Sequence, residues 1–204
     1  MQAGIMTETV KTYTAFAGTR RIASGDLPSV AKATKTALDG GDNDPVVILD
    51  DETCRVVEVD FRGTVEDMLE RLGEASGAAS GRQEPRGPGR PKLGVVAREV
   101  TLLPRHWEWL NAQPGGASVA LRKLVEEARR SNGSRDRVRQ ARETLYRFMS
   151  TLAGNEAGFE EASRALFAGD RKLFMDLIRP WPKDIRAHAE KLSDAAFASE
   201  TPEA

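Results

Sequence analysis

The chain has 204 residues, of which 40% are hydrophobic and 30% charged, a balance typical of a globular protein with one sizeable domain or two small ones. No apolar run approaches the ~20 residues that cross a bilayer, and the N-terminus lacks the pattern of a secretory signal, so we expect no membrane partner and a cytoplasmic location. The single Cys54 excludes an intramolecular disulfide, and with only His106 and His188 beside it we expect no Cys/His zinc site.

The chain begins with a strand-like pattern that changes to a helical one. Residues 12–16 and 20–24 flank Gly18-Thr19, a pair that suits a tight hairpin because glycine tolerates positive φ. Apolar residues then recur at helical spacing over 30–38, and Gly40-Gly41 follows as a stop.

A second hairpin is predicted from residues 46–49 and 55–61, joined by a polar turn. Thr64 can cap a short helix that continues to Leu72. The resulting order is ββαββα, which predicts a small acidic α+β domain over residues 1–72.

Residues 73–92 lose all periodicity and are rich in Gly, Ser, Ala, Pro and Arg, which indicates a flexible linker. Its end, Arg86-Gly87-Pro88-Gly89-Arg90-Pro91-Lys92, resembles the AT-hook, an extended element of the narrow A·T minor groove. The resemblance implies that Arg90 follows the negative potential of that groove while Gly and Pro shape the backbone. Pro88 stands where the first core Arg of the pattern belongs, and a plain basic tether has a similar composition.

Beyond the linker the sequence predicts a strand and two helices. A short strand over 98–103 leads into Pro104, which is suited to the first turn of a helix ending near Asn111. Gln113-Pro114-Gly115-Gly116 breaks that helix, and a second one begins at Ser118.

The second of these helices has one apolar side that we expect to be buried, and Ser131-Asn132-Gly133-Ser134 is expected to end it. The residues of that side are Leu121, Leu124, Val125 and Ala128.

Residues 97–130 resemble a ribbon-helix-helix unit. Leu103-Pro104 matches the strand-to-helix junction, residues 115–118 match the turn, and residues 120–125 match the second helix. The resemblance implies a ribbon of two strands from two subunits in the major groove, and a phosphate at the start of the second helix. An ordinary strand–helix–helix of a larger core gives the same pattern, and the strand lacks a polar face that could read bases.

Residues 135–198 are predicted to be helical, and the tail from 199 to 204 is expected to be frayed. Gly169 ends one helix, Asp170 can cap the next, and Pro180-Trp181-Pro182 enforces a turn.

Charge is distributed unevenly. Residues 1–81 carry 8 Lys/Arg against 14 Asp/Glu, residues 82–150 carry 15 against 7, and residues 151–204 carry 7 against 10. A basic centre between acidic ends points to a polyanionic partner. The alternative is that the basic centre pairs with the acidic ends of the same chain.

Most of the chain, from Tyr13 to about Leu192, resembles an uncharacterised bacterial family, the domain of unknown function number twenty-two thirty-nine. The segments that carry the resemblance are TYTAFAGTRRIASGDL, VVILDDETCRVVEVDFRG, GRPKLGVVAREVTLLPRHWEWL and ALFAGDRKLFMDLIRPWPKDIRAHAEKL. The resemblance implies a bacterial protein and brings no established activity with it.

Other candidate sites have plain structural interpretations. Asp50-Asp51-Glu52 offers cation ligands, but adjacent acids more often form a solvated turn. Cys54 is either a reactive thiol or a small buried hydrophobe, and His106 and His188 sit on amphipathic helices. Trp109 is open as a surface for stacking on bases. No P-loop, dinucleotide glycine pattern or nucleophile elbow is present, so we expect no catalytic residue, cofactor or metal.

The sequence thus favours a DNA-binding protein of the kind that includes transcriptional regulators, with the basic segment 93–131 contacting mainly the phosphate backbone of duplex DNA. A homodimer is expected if the ribbon resemblance holds, because a lone strand leaves its backbone groups unpaired. The alternative is a protein-interaction or adaptor module without a nucleic acid partner. The expected DNA-binding residues are Arg90, Lys92, Arg98, Arg105, Ser118, Arg122 and Lys123.

Overall fold

The structure is a computed structural model that describes residues 11–41, 44–80, 96 and 98–198. The predicted α+β class is confirmed, with a three-stranded antiparallel sheet near the N-terminus and seven helices within the described ranges. In chain order the elements are β1 (Tyr13–Ala17), β2 (Arg20–Gly25), α1 (Leu27–Asp39), β3 (Val46–Asp50), α2 (Val65–Ser80), α3 (Pro104–Asn111), α4 (Gly116–Leu152), α5 (Phe159–Ala168), α6 (Arg171–Ile178) and α7 (Lys183–Ala196).

The chain divides into two compact units, with the N-terminal sheet and the C-terminal helices in the same one. Its described residues, which we call the sheet unit, are 11–41, 44–80 and 137–198. The second, called the basic unit, contains the described residues up to Asp136: α3 and the first part of α4. The N-terminal domain and the C-terminal helical region, expected to be separate, therefore share one core.

The sheet has the order β2-β1-β3, so β1 is its central strand. Alternation along β1 points Phe16 toward the C-terminal helices and Ala15 toward α1, where Val30 is buried. The predicted hairpin turn is confirmed: Gly18 has φ +53, and its amide donates to the Pro45 carbonyl at 2.9 Å. Both faces of the sheet are therefore covered by helices.

The predicted fourth strand is reduced to a single bridge, so the ββαββα order is not confirmed. Leu49 bridges antiparallel to Val56, and beyond this point the chain leaves the sheet. Further along, Arg71 of α2 donates from Nη2 to the carbonyls of Asp60 (3.0 Å) and Arg62, so this stretch is tied to α2 rather than to the sheet.

Three predicted helix boundaries are confirmed by capping geometry. Thr64 and Asp67 cap α2 reciprocally, since the Asp67 amide donates to Thr64 Oγ1 at 3.2 Å and the Thr64 amide to Asp67 Oδ2 at 2.9 Å. The Leu173 amide donates to Asp170 Oδ1 at 2.9 Å at the start of α6, and Gly169 ends α5 with φ +77.

Two helices are longer than predicted. The backbone of α2 continues to Ser80, so the interval expected to be a linker from residue 73 begins with helix, and residues 81–92 lie outside the described ranges. The predicted end of a helix at Ser131–Ser134 is wrong, because α4 runs through it. A single Gly133 costs a helix only about 1 kcal/mol relative to Ala, which the helical sequence on either side offsets.

The core of the sheet unit joins the sheet to α4, α5, α6 and α7, as the predicted apolar stripes require. Its largest fully buried side chains include Phe16, Phe148, Phe174, Leu145 and Leu166. Trp181 closes one end of this core and donates from Nε1 to the Ala157 carbonyl at 3.0 Å.

His188, a titratable residue, lies inside this core and is only 5% exposed. Its ring stacks at 4.5 Å on Phe148 and meets Phe16 edge-on at 5.5 Å, measured between ring centroids. Nε2 has no hydrogen-bond partner among the described residues. Burial lowers the pKa of His188 from 6.5 to about 4, against a smaller opposite effect of Asp51. The fold therefore holds a neutral imidazole.

We expect His188 to make the protein sensitive to acid. Its pKa is about 4 in the folded state and near 6.5 in the unfolded chain, so the unfolded chain binds the proton first as the pH falls. The contribution of this residue to stability is complete above pH 6.5 and declines toward pH 4, by roughly 3 kcal/mol in total. His188→Phe should remove this part of the pH dependence, measured as the free energy of unfolding in urea across that range.

His106→Gln is the control for this experiment, because His106 is exposed on α3. Carboxylates titrate in the same range, so the slopes of the three proteins are compared rather than their absolute stabilities. If His188→Phe keeps the slope of the wild type, the burial of a neutral imidazole is not the cause.

Candidate nucleic-acid interface

The segment that was predicted to be a ribbon strand forms no strand with any described residue. Residues 98–103 are unassigned to regular structure, and the side chains of Arg98, Glu99, Val100 and Leu103 are exposed. The exposed Glu99 sits next to Arg98 and reduces its positive potential. The predicted strand over residues 98–103 is therefore not confirmed among the described residues.

Helix α3 presents one basic residue at its start. Pro104 is at the first helical position as predicted, and Arg105 follows it, exposed and without an ion pair in the part of the chain that is described. Leu110 is buried and Trp107 half-buried on the inner side of the helix. The helix thus anchors through its apolar side and leaves Arg105 in solvent.

The start of α4 has the features of an anion site. Gly115 and Gly116 form the predicted turn with φ of +87 and +74, and a Cβ at Gly115 would lie 3.1 Å from Val119. The amides of Ala117 and Ser118 have no acceptor among the described residues, and the first turn carries no acidic side chain. Free amides and the helix dipole together favour a phosphate group at this position.

Two rows of basic side chains follow along α4. Seven residues make about two turns, so Arg129 continues the row of Arg122, and Arg130 continues that of Lys123. All four are exposed, and of these only Arg129 has an ion pair with a described residue, Glu126 at 2.9 Å. The sequence prediction missed Arg129 and Arg130, although their spacing from Arg122 and Lys123 is a signal that would have found them.

The apolar side of α4 in the basic unit is not buried, which corrects the prediction. Leu124 and Val125 are 47% and 55% exposed, Ala128 is exposed, and Leu121 is half-buried. The physical reason is the small size of this unit, which has too little chain to cover the face. Its buried apolar residues, among those described, are Leu110 and Ala120.

The structure brings two of the predicted site residues together. Arg122 Nε donates to the Ser118 carbonyl at 3.1 Å, so the Arg122 side chain folds back along α4 toward its first turn. Lys123 is on the neighbouring row of the same helix. No contact joins Arg98 or Arg105 to these residues within the described chain, and Arg90 and Lys92 lie outside it.

Part of the basic centre serves the sheet unit instead. Arg142 Nε donates to the Ala196 carbonyl at 3.1 Å, and Arg147 donates to the Thr53 carbonyl. These side chains connect α4 to the end of α7 and to the turn after β3. These two arginines contribute to the positive charge of the basic centre in the sequence, but their hydrogen bonds stabilise the fold of the sheet unit.

The acidic turn after β3 is occupied by its own hydrogen bonds. Asp50 Oδ1 accepts from the amides of Glu52 and Thr53 at 3.0 and 2.8 Å, and Asp51 Oδ1 accepts from Thr14 Oγ1 at 2.6 Å. Within the described ranges no cluster of three His, Cys, Asp or Glu side chains could hold a metal ion. The turn is best explained by its local geometry.

Cys54 follows this turn and is fully buried in the core. Desolvation by burial raises the pKa of its thiol to about 12, and the nearby Asp51 adds to the effect. Of the two interpretations the sequence left open, the position fits the small buried hydrophobe.

Across the described ranges, no helix combines the length and the apolarity required to cross a bilayer. The family model described as an uncharacterized protein conserved in bacteria, DUF2239, matches residues 12–193, and the chain belongs to this family. No curated protein and no solved structure matches the chain.

We expect Cys54 to resist alkylation in the folded protein, because iodoacetamide reacts with an accessible thiolate and this thiol is neither accessible nor ionised. Mass spectrometry should show no adduct under native conditions. In urea the same protein should gain one adduct, since it has one cysteine. Native modification at the rate of the unfolded protein would contradict the buried position.

Proposed function

We propose that the protein binds duplex DNA through the basic unit, mainly by contacts to the phosphate backbone. The amides at Ser118 hold one phosphate, and Arg122 and Lys123 add electrostatic attraction beside it. Arg98 and Arg105 extend the positive surface. Arg90 and Lys92, outside the described residues, enter the proposal from the sequence alone. Regulation of transcription is the role we propose for such binding.

The observation that carries the proposal is the combination at the start of α4. A helix N-terminus without acidic residues has free amides, and the basic side chains that follow are exposed. Three of them, Arg122, Lys123 and Arg130, have no ion pair with any described residue. If these cations formed buried ion pairs within the chain, their charge would be neutralised. They are exposed instead, near free amides, so an anionic partner can bind them.

The adaptor alternative makes a different demand on the same residues. It requires the basic side chains to be bound by Asp and Glu of the acidic ends. Arg147, which belongs to the sheet unit, is bound to a backbone carbonyl instead. Arg122, Lys123 and Arg130 are exposed and have no ion pair with a described residue, and on this ground we favour the DNA proposal.

A homodimer belongs to the proposal because two features of the basic unit lack a partner. Residues 98–103 have no strand to pair with, and the side of α4 at Leu124 and Val125 is uncovered. A second copy of the chain supplies both partners. Its residues 98–103 would pair antiparallel with the same residues of the first copy, and the two apolar sides of α4 would pack together about a twofold axis. The same axis places two basic units side by side on one duplex.

We expect salt-dependent binding of labelled duplex DNA in fluorescence anisotropy. The slope of log affinity against log salt should be about −0.9 per phosphate neutralised. Arg122→Ala/Lys123→Ala should weaken binding and make the slope shallower by roughly 2, because two phosphate contacts are lost. Arg129→Ala/Arg130→Ala should act in the same direction if the rows continue along α4.

The control is Lys172→Ala/Lys183→Ala, which removes two exposed cations from the sheet unit. It has the same change in net charge and should leave the slope unchanged. No binding at low salt would refute the proposal, and equal losses in control and test variants would mean that net charge alone is responsible.

We also expect the protein to sediment as a dimer. Leu124→Glu/Val125→Glu should convert it to a monomer, because four carboxylates would be buried at the shared face without partners. The fold should survive, since both side chains are already exposed in the single chain. Leu173→Glu on α6 is the matched control, because Leu173 is also 47% exposed and lies in the sheet unit. A wild type that is monomeric at every concentration would refute the dimer.

A further inference from the structure

Three tryptophans have different environments, and one of them has no structural role in the fold. Trp181 is buried and hydrogen-bonded, and Trp107 is half-buried on the inner side of α3 with Leu110. Trp109 is 53% exposed, and its indole has no ring contact or hydrogen bond with a described residue. The backbone of Trp109 does form a side-chain contact, because its carbonyl accepts a hydrogen bond from Gln113 Nε2 at 3.1 Å.

The face of α3 that carries Trp109 also carries a cation. Arg105 lies four residues earlier, so its side chain and the indole are neighbours on the same side of the helix. Arg105 is exposed, and it forms no ion pair with Glu108, the exposed acid between them in sequence. The outer face of α3 thus offers an aromatic surface beside an arginine that has no ion pair with a described residue, and the exposed Glu108 lies on the same side.

Charge decides which occupant suits this face. Residues 98–136 of the basic unit have 7 basic against 5 acidic side chains, which favours an anion. A nucleotide combines a flat base for the indole with a phosphate for Arg105. Stacking needs a base with an exposed face, and a duplex hides its base faces in the stack.

We propose that Trp109 stacks on an unpaired base while Arg105 binds the adjacent phosphate, so that the basic unit recognises single-stranded DNA or an opened stretch of duplex. The inference rests on the proposed DNA binding and names the form of DNA that is preferred. Phosphate groups are available in both single-stranded and duplex DNA, so contacts to them do not distinguish the two forms. The indole does, because it stacks only on an unpaired base.

The test compares the affinity for an oligo(dT) strand and for a duplex of the same length, in the full chain. Trp109→Leu keeps an apolar side chain but removes the aromatic surface, and it should weaken binding to oligo(dT) by roughly 5- to 150-fold, with a smaller loss for the duplex. Trp109→Phe retains a ring and should retain most of the affinity. Quenching of tryptophan fluorescence by oligo(dT) should occur in the wild type and be largely lost in Trp109→Leu.

The outcomes separate this inference from the function on which it rests. If the wild type binds duplex DNA and Trp109→Leu weakens both forms equally or neither, the stacking inference fails and the DNA proposal stands. If neither form binds, both fail. Two other results would overturn the inference, each with unchanged binding of oligo(dT) by Trp109→Leu. Loss of self-association would assign the indole to a protein contact, and loss of binding to phosphatidylserine vesicles would assign it to a lipid contact.

Discussion

The burial of β1 on both faces is the constraint on which the sheet unit depends. Because β1 alternates Phe16 and Ala15 toward opposite sides, both faces of the sheet are apolar and each must be covered by another layer. Helix α1 covers one side from the next part of the chain. The other side needs the helices of the C-terminal third, which is why segments so distant in sequence share one core.

The same constraint explains why a buried histidine is tolerated. His188 on α7 lies between Phe16 of the sheet and Phe148 of α4, where the two layers meet. A neutral imidazole fills an aromatic position there, and burial holds it neutral. Its unpartnered nitrogen and its lowered pKa make this junction sensitive to acid.

The basic unit shows the opposite condition. With only α3 and the first part of α4 described, it buries little apolar surface and leaves Leu124, Val125 and Trp109 in solvent. Exposed apolar and basic side chains therefore occur together in the basic unit, whose described part consists of two neighbouring helices. The proposed dimer and the proposed DNA contacts both depend on these exposed groups.

The sequence alone determined the local elements. Turn glycines, capping residues such as Thr64 and Asp170, and helical spacing predicted most element boundaries because these signals act within a few residues of chain. It also located the basic segment and the glycine turn before Ser118. Local predictions failed at the fourth strand, which is a single bridge, and at residues 98–103, which form no strand with a described residue. They also failed at Gly133, because the helical chain on both sides carried α4 through it. Only the tertiary structure decided which side chains are covered. It placed Cys54 and His188 in a core, assigned Arg142 and Arg147 to backbone carbonyls, and left Leu124 exposed, because burial depends on which surfaces lie opposite each other in space, and spacing along one element cannot show that.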